Sequence, residues 1–395
     1  MDDIISPPTP SNRIILADAL RGFGLMGILF LHSLEHFQLF VRGTELIGPF
    51  SEQTDKIVMD ACSFLFQSKA YVIFALMFGF SFWLQYQNRI EKGSDFTPRF
   101  LWRMFILLGF GFLHMLVYSA DILAIYALLS VFLIVSRKWP DWVLVIFAAF
   151  LLIEPFYMVR LYISLNNPEV SLFFNPPSGY WRPLYPLMQQ ESLLELIKGN
   201  LQFGWKAMPI WSWEHGRLLQ TPGLFILGML AARRKIFTPA SFKFYAIIFV
   251  ISLFIFLPLH EAREHLKVWT VDSESFRRQL RLILEAYSNL AQAFMWVSLF
   301  CIVWKFKSVN SVLKVLAPFG KMSLTNYVFM SVMGVFAFHG VGLGLYRYLG
   351  TTMSLFYALA ALASQLIISH VWLKNFKYGP LEYLWRKLSW IGYKK

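Results

Sequence analysis

Apolar stretches long enough to cross a hydrocarbon core, about 20 residues each, recur along the whole 395-residue chain. Ten can be marked out, at roughly 14–34, 60–86, 99–119, 121–136, 140–163, 217–233, 240–260, 283–304, 318–340 and 352–373. No other feature restricts the fold so strongly. In lipid every backbone N–H and C=O must be satisfied within the chain, and only helices and closed barrels achieve this. Runs this continuously apolar read as helices rather than as alternating strands. Composition agrees, with 57 % hydrophobic residues, 15 % charged residues and 40 Phe. A soluble domain carries about 45–50 % apolar and about 25 % charged residues. A soluble globular protein, a disordered chain and a disulfide scaffold are thereby excluded. The expected fold is all-α, a polytopic integral membrane helical bundle of about ten transmembrane helices.

Basic residues set the expected orientation. The chain has 36 Lys and Arg against 23 Asp and Glu, a formal charge of +13. Arg89, Lys92, Arg99 and Arg103 follow the second stretch; Arg137 and Lys138 come next, then Arg233, Arg234 and Lys235. Lys305, Lys307, Lys314 and Lys321, and finally the tail lysines and arginines, continue the series. With an even number of spans all of these fall on one side, which places both termini in the cytoplasm. The opposite side is more balanced in sign, as in HEAREHLKVWTVDSESFRR. The organisation expected is a cytoplasmic segment 1–13, one transmembrane domain 14–373 and a cytoplasmic amphipathic tail 374–395. Outer loops are expected near 164–216 and 261–281, the first carrying the helical pattern ESLLELIKGNLQFGW. The YSAD stretch should turn the third and fourth spans into a tight hairpin, and Pro155, Pro222, Pro258 and Pro318 should kink or cap helices. The polar start lacks a basic n-region, so no cleaved signal peptide is expected. Cys62 and Cys301 stand too far apart in sequence to suggest a disulfide framework or zinc spacing. No nucleic-acid motif, P-loop, dinucleotide fingerprint, GxSxG elbow or HExxH helix is present.

Ionisable groups inside apolar stretches are costly and are therefore candidate functional groups. In the first stretch, Asp18 and Arg21 share a helix face and can pair. The pair is either a self-neutralising structural element or a cavity-facing anion site, Arg being suited to phosphate. His32 stands eleven residues after Arg21, about 16 Å along a helix. His32, Glu35 and His36 share a face there, readable as a general base with its carboxylate, as an interfacial polar face, or as an incomplete metal site; no metal is assigned. Lys69 is either a cationic contact to substrate or a snorkelling lysine. His114 and Asp121 lie near the outer ends of the third and fourth stretches, Asp121 as helix cap or as relay carboxylate. Glu214, His215, Arg217, Glu285, Asn289, Asn326, Tyr327 and His370 are further polar positions, each alone more often structural.

Six segments, in order, resemble the YeiB-like (DUF418) family of bacterial membrane proteins. They are DALRGFGLMGIL, LMFGFSF, GFLH with ADILAIYAL, TPGLFILGMLAARR, GKMSLTNYVFMS and FKYGPLEYLWRKLSW. That family is similar to the transmembrane acyltransferases, which include the acyltransferase-3 proteins and heparan-glucosaminide acetyltransferase. The likeness is carried by Arg21, Gly22 and His32, which match the acyltransferase-3 spacing of an Arg-Gly pair and a His. Many YeiB-like proteins have Asn at that His position, and the cytoplasmic basic motifs of acyltransferase-3 proteins have no clear counterpart here. The resemblance implies a bacterial inner-membrane protein that transfers an acyl group. Acyl-CoA, such as acetyl-CoA, would donate from the cytoplasm, its phosphates meeting Arg21, Arg99 and Arg103. An extracytoplasmic hydroxyl or amine, on a small molecule or an envelope glycan, would accept. His32 would act as base with Glu35 or Asp121, and Lys69 would face the oxyanion. Two other classes fit the same residues. One is a transporter of a small anionic or amphipathic solute, although no internal repeat is evident. The other is a non-catalytic scaffold or lipid-binding protein, which should tolerate Ala at Arg21 and His32.

Overall fold

A computed structural model describes residues 14–40, 48–93, 95–167, 179–237, 242–266 and 273–391. Its first half contains α1 (Ile15–Leu34), α2 (Glu52–Phe66), α3 (Lys69–Ile90), α4 (Thr97–Met115), α5 (Leu123–Leu129), α6 (Val131–Ser136), α7 (Asp141–Leu152), α8 (Pro155–Asn166) and α9 (Tyr185–Gln189). Its second half contains α10 (Leu193–Gly199), α11 (Trp205–Glu214), α12 (Arg217–Arg233), α13 (Phe242–Leu266), α14 (Glu274–Val303), α15 (Lys307–Leu313), α16 (Leu316–Lys321), α17 (Ser323–Phe338), α18 (Thr351–Asn375) and α19 (Pro380–Ser389). No strand occurs among the described residues. The all-α expectation holds. Six helical stretches are long and apolar enough to cross a membrane: Ile15–Leu34, Glu52–Ile90, Asp141–Asn166, Phe242–Leu266, Glu274–Val303 and Thr351–Asn375.

Each of the ten expected stretches coincides with helix, but four are broken, 318–340 among them at Met322, between α16 and α17. The stretch 60–86 divides at Ser68, whose φ of 62° is left-handed. The stretch 140–163 divides at Glu154, φ 53°, just before Pro155, which lacks the N–H that a continuing helix would need. The stretch 121–136 divides at Ser130, whose hydroxyl donates to the Ala127 carbonyl at 2.6 Å. In the expected outer loop 261–281, α13 runs on to Leu266 and α14 begins at Glu274, and residues 267–272 lie outside the described residues. Residues 1–13 and 392–395 lie outside the described residues.

α1 is the axis of the bundle. It packs against α2, α3, α16, α17 and α18, and 61 % of its apolar window is buried, against 17 % for the peripheral α13. Its glycines make this possible: a Cβ at Gly24 would lie 3.2 Å from the Ala70 carbonyl of α3, and Gly22 abuts the Leu316 carbonyl of α16. Small residues drive such close crossings where lipid supplies no hydrophobic force between helices. Two helix starts are capped by carboxylates from distant helices. Asp55 accepts from the Thr351 and Thr352 amides and the Thr352 hydroxyl at the start of α18. Glu382 accepts from the Leu324 and Thr325 amides and the Thr325 hydroxyl at the start of α17. An anion there satisfies orphan amides and the positive end of the helix dipole.

The basic loops converge. Arg233 donates to the Arg137 and Trp139 carbonyls and to Asp141. Arg89 and Arg99 lie over the Trp390 ring, and Arg103 over Trp385. The tail helix α19 is tied on by hydrogen bonds from Trp102 to the Leu388 carbonyl and from Trp385 to the Arg103 carbonyl.

Candidate functional site

Helix periodicity puts Asp18 and Arg21 on one face of α1, where Arg21 Nη1 meets Asp18 Oδ1 at 2.7 Å. The same guanidinium donates to Ser81 Oγ of α3 at 2.8 Å and to the Gly320 carbonyl of α16 at 3.3 Å. Both groups line a cavity of about 400 Å³. Arg103, Lys321 and Arg386 add further cations to its wall, and Tyr378, Glu382 and Trp385 of the tail region stand at that end. Deeper in, the lining turns aromatic and apolar, through Phe74, Phe78, Leu123, Tyr126 and Tyr327. The site thus offers cations at the basic end and an apolar throat beyond it. Burial holds the Glu382 carboxyl above its usual range, against the opposing pull of its hydrogen bonds from Thr325 and Leu324.

Past the throat lies a buried imidazole–carboxylate couple. The YSAD turn brings Asp121 back beside α4, and His114 Nδ1 lies 2.8 Å from Asp121 Oδ1. A carboxylate accepts, so Nδ1 carries the proton donated to it and Nε2 is left as the basic nitrogen of the neutral ring. Nε2 makes no hydrogen bond within the described residues. Asp121 Oδ2 also accepts from the Ala124 amide at the start of α5, so both roles read from the sequence, cap and partner of an imidazole, belong to one carboxylate. The His114 ring packs against Tyr327 and Tyr118. Tyr118 in turn meets the His32 ring edge-on at 5.7 Å, and His32 Nδ1 stands 3.6 Å from Glu35. His32 and His114 therefore flank one tyrosine.

The hairpin of α4 and α5 is a wall with two faces. Met104, Leu107, Leu123 and Tyr126 look into the charged cavity. Phe105, Leu108, Phe112, Ala124 and Ile125 look into a second space of about 490 Å³, whose other side is α11 and whose inner end holds Ser119 and Asp121. Asp121 of the couple lines this second space, and His114 stands behind it against Tyr327, which lines the charged cavity.

Other expected site residues fall elsewhere. Lys69 is buried at the start of α3 and donates to the Ser63 carbonyl at 3.2 Å, outside both spaces. Arg99 is covered by Trp390 rather than facing the cavity. His36 leaves the face shared by His32 and Glu35, because α1 ends at Leu34 and His36 takes a φ of 49°. It shares a hydrogen bond with Ser354 and stacks on Phe338. Arg217 lies over the Tyr71 and Trp211 rings, and Glu214 accepts from Tyr180. Sequence reading passed over Ser81, Lys321, Glu382 and Arg386 as site residues and gave Tyr327 no particular role. The available signal was that the segments carrying the family resemblance meet here: five of the six contribute lining residues to the charged cavity. The sixth supports it from behind, Phe225 packing on Phe78 and Tyr126.

Residues 231–392 match the family model described as Protein of unknown function (DUF418). The chain is similar over nearly its full length to the uncharacterized protein YxaH of Bacillus subtilis (strain 168). They are 27 % identical over 419 residues, covering 98 % of this chain and 97 % of that protein. An uncharacterized 39.9 kDa protein from the amylase 3′ region of Bacillus acidopullulyticus is 24 % identical over 402 residues, 98 % of this chain and 96 % of the other. The uncharacterized protein YeiB of Escherichia coli (strain K12) is 31 % identical over 98 residues, 25 % of each chain.

Proposed function

We propose that this chain, similar to DUF418 proteins, works as a membrane-embedded acyltransferase. In this reading the basic end faces the cytoplasm of a bacterial inner membrane. An acyl thioester such as acetyl-CoA enters the charged cavity, and a hydroxyl or amine on the opposite side accepts the acyl group. The observation that carries the reading is the pair of spaces on the two faces of the α4–α5 hairpin, with Asp121 in the lining of one and its partner His114 packed on Tyr327 in the lining of the other. Arg21, Arg103, Lys321 and Arg386 suit the phosphates of a coenzyme A donor, and the aromatic throat suits its pantetheine arm. The acceptor oxygen or nitrogen attacks the thioester carbonyl while the couple takes its proton. The C–S bond then breaks, and the leaving thiolate recovers that proton from the couple. Asp121 fixes the imidazole tautomer and balances the imidazolium, as a carboxylate does in a hydrolase triad. His32, with Glu35 3.6 Å from its Nδ1, sets a second imidazole on the other side of the Tyr118 ring.

The test is equilibrium binding of acetyl-CoA and CoA to detergent-purified protein. Saturable binding is expected. Arg21→Ala should weaken it roughly ten-fold or more, the usual cost of losing a charge-assisted hydrogen bond. Lys198→Ala, outside the cavity, should leave it unchanged, and His114→Ala should keep binding while abolishing transfer. Failure of both thiol compounds to bind at any accessible concentration sinks the reading.

A further inference from the structure

The space on the far side of the α4–α5 wall differs in chemistry from the charged cavity. We infer that it holds the hydrocarbon chain of a lipid-borne acceptor, whose hydroxyl or amine headgroup rests at Ser119, Asn200 and Asp121. The inference rests on the acyl-transfer reading and names its acceptor class.

The groove is apolar except at one end. Leu108, Ile125 and Met208 line its floor, and its mouth is flanked by Phe105, Phe112 and Trp205. These three are 64 %, 52 % and 53 % exposed. In a membrane-spanning bundle exposed rings of this kind suit contact with hydrocarbon, since a cluster of apolar surface is costly to leave in water. A free sugar entering this way would shed its water with no polar replacement along the path. A hydrocarbon chain meets no such barrier and carries its headgroup to the inner end.

That end is prepared for a polar guest. Ser119 Oγ is buried and makes no hydrogen bond within the described residues, and the same is true of Asn200 Oδ1. The two come from different elements and meet at Gly204, where a Cβ would lie 3.0 Å from Ser119 Cβ and 3.1 Å from Asn200 Oδ1. Asn200–Gly204 forms a π-helical turn, an irregularity that recurs at functional sites because it re-aims a side chain. Buried polar atoms are normally satisfied, so Ser119 Oγ in the lining with Asp121, and Asn200 Oδ1 at the neighbouring Gly204, mark the place of a headgroup. Asp121 itself is held by His114 and the Ala124 amide. A headgroup hydroxyl placed there lies beside the Asp121 carboxylate of the couple, while the donor cavity lies on the other face of the wall.

Gly109 makes the inference testable. It lines the groove, and a Cβ there would meet nothing within 4 Å, so a larger side chain fills the groove without displacing a neighbour. The protein would be placed in nanodiscs of phosphatidylethanolamine and phosphatidylglycerol. Two photoactivatable diazirine probes would be added in separate arms, a phosphatidylethanolamine and an undecaprenyl phosphate linked to a hexose. Crosslinks should concentrate on residues 105–112 and 204–209. They should fall roughly ten-fold in Gly109→Leu, the loss expected when about 1.4 kcal/mol of binding is removed. The arm with the stronger protected labelling identifies glycerolipid or isoprenoid as the chain. Leu108→Phe, which narrows the same wall, decides the matter should Gly109→Leu fail to give a monodisperse peak. Labelling spread evenly over lipid-facing positions such as Phe254 of α13, or unchanged in the filled variants, overturns the inference. The readout needs no donor. Focused labelling without acetyl-CoA binding would keep the lipid site and sink the transferase reading. Acetyl-CoA binding with diffuse labelling would sink the groove alone.

Discussion

Arg21 answers two alternatives that its sequence context leaves open. An unpaired arginine at the centre of a spanning helix costs about 2.5–3.5 kcal/mol on insertion scales. Asp18 relieves that cost locally, and Ser81 and the Gly320 carbonyl accept further hydrogen bonds. The guanidinium still lines the charged cavity, so it is both neutralised and available to an anion. The Asp18–Arg21 pair is legible from an i, i+3 spacing. Lys321 and Glu382 are not, because they reach the same cavity from helices that lie hundreds of residues away in sequence. Glu382 gives this scale its prediction. Its carboxyl is raised by burial, so it stays protonated above the ordinary carboxylate range and becomes an anion as pH rises through its folded value. A neutral Glu382 leaves the cavity more cationic. Coenzyme A should therefore bind more tightly in mildly acid solution and more weakly as pH rises, and Glu382→Gln should flatten that dependence in a titration series. A pH profile identical in wild type and Glu382→Gln would exclude this group as its source.

At the scale of elements, the α4–α5 hairpin decides what touches what. Gly111 on α4 abuts the Ala124 amide and Asp121, and a Cβ there would sit 2.6 Å from that amide nitrogen. Gly111→Val should force the two helices apart. Overpacking of this kind costs roughly 1–3 kcal/mol, read as a lower melting temperature in detergent, together with loss of His114-dependent transfer. Full stability in Gly111→Val would mean that the wall yields more easily than its packing implies. The hairpin as such is legible from the short YSAD break between two apolar runs. Its two-faced character is not, since the same periodicity fits a helix covered by lipid or by protein. The internal breaks divide similarly. Pro155 announces one, whereas Ser68 adopts its left-handed conformation with only its neighbours' packing, and the Arg217 side chain donating to its hydroxyl, to hold it there.

At the scale of the molecule, the basic residues predict that both termini share the side on which the charged cavity opens. A fluorescent protein fused after Lys395 should glow in bacterial cells if that side is cytoplasmic, and a periplasmic alkaline phosphatase fused there should stay inactive; the reverse pattern would invert the orientation of donor and acceptor. The sequence by itself determined the class of fold, the approximate positions of the helices and the motif segments around which the cavity is built. It does so because lipid imposes one rule on every span, long apolar length with internal hydrogen bonding, and that rule is local. It also marked Asp18, Arg21, His114 and Asp121 as costly groups that need partners. Only the tertiary structure decided which partners those are. It joined His114 to Asp121 across a turn, set His32 against Tyr118, sent Lys69 and Arg99 to other neighbours and brought the tail helix to the mouth of the cavity. Such pairings depend on which helix faces cross, and those crossings follow from glycines and side-chain volumes on several helices at once rather than from any single stretch of chain.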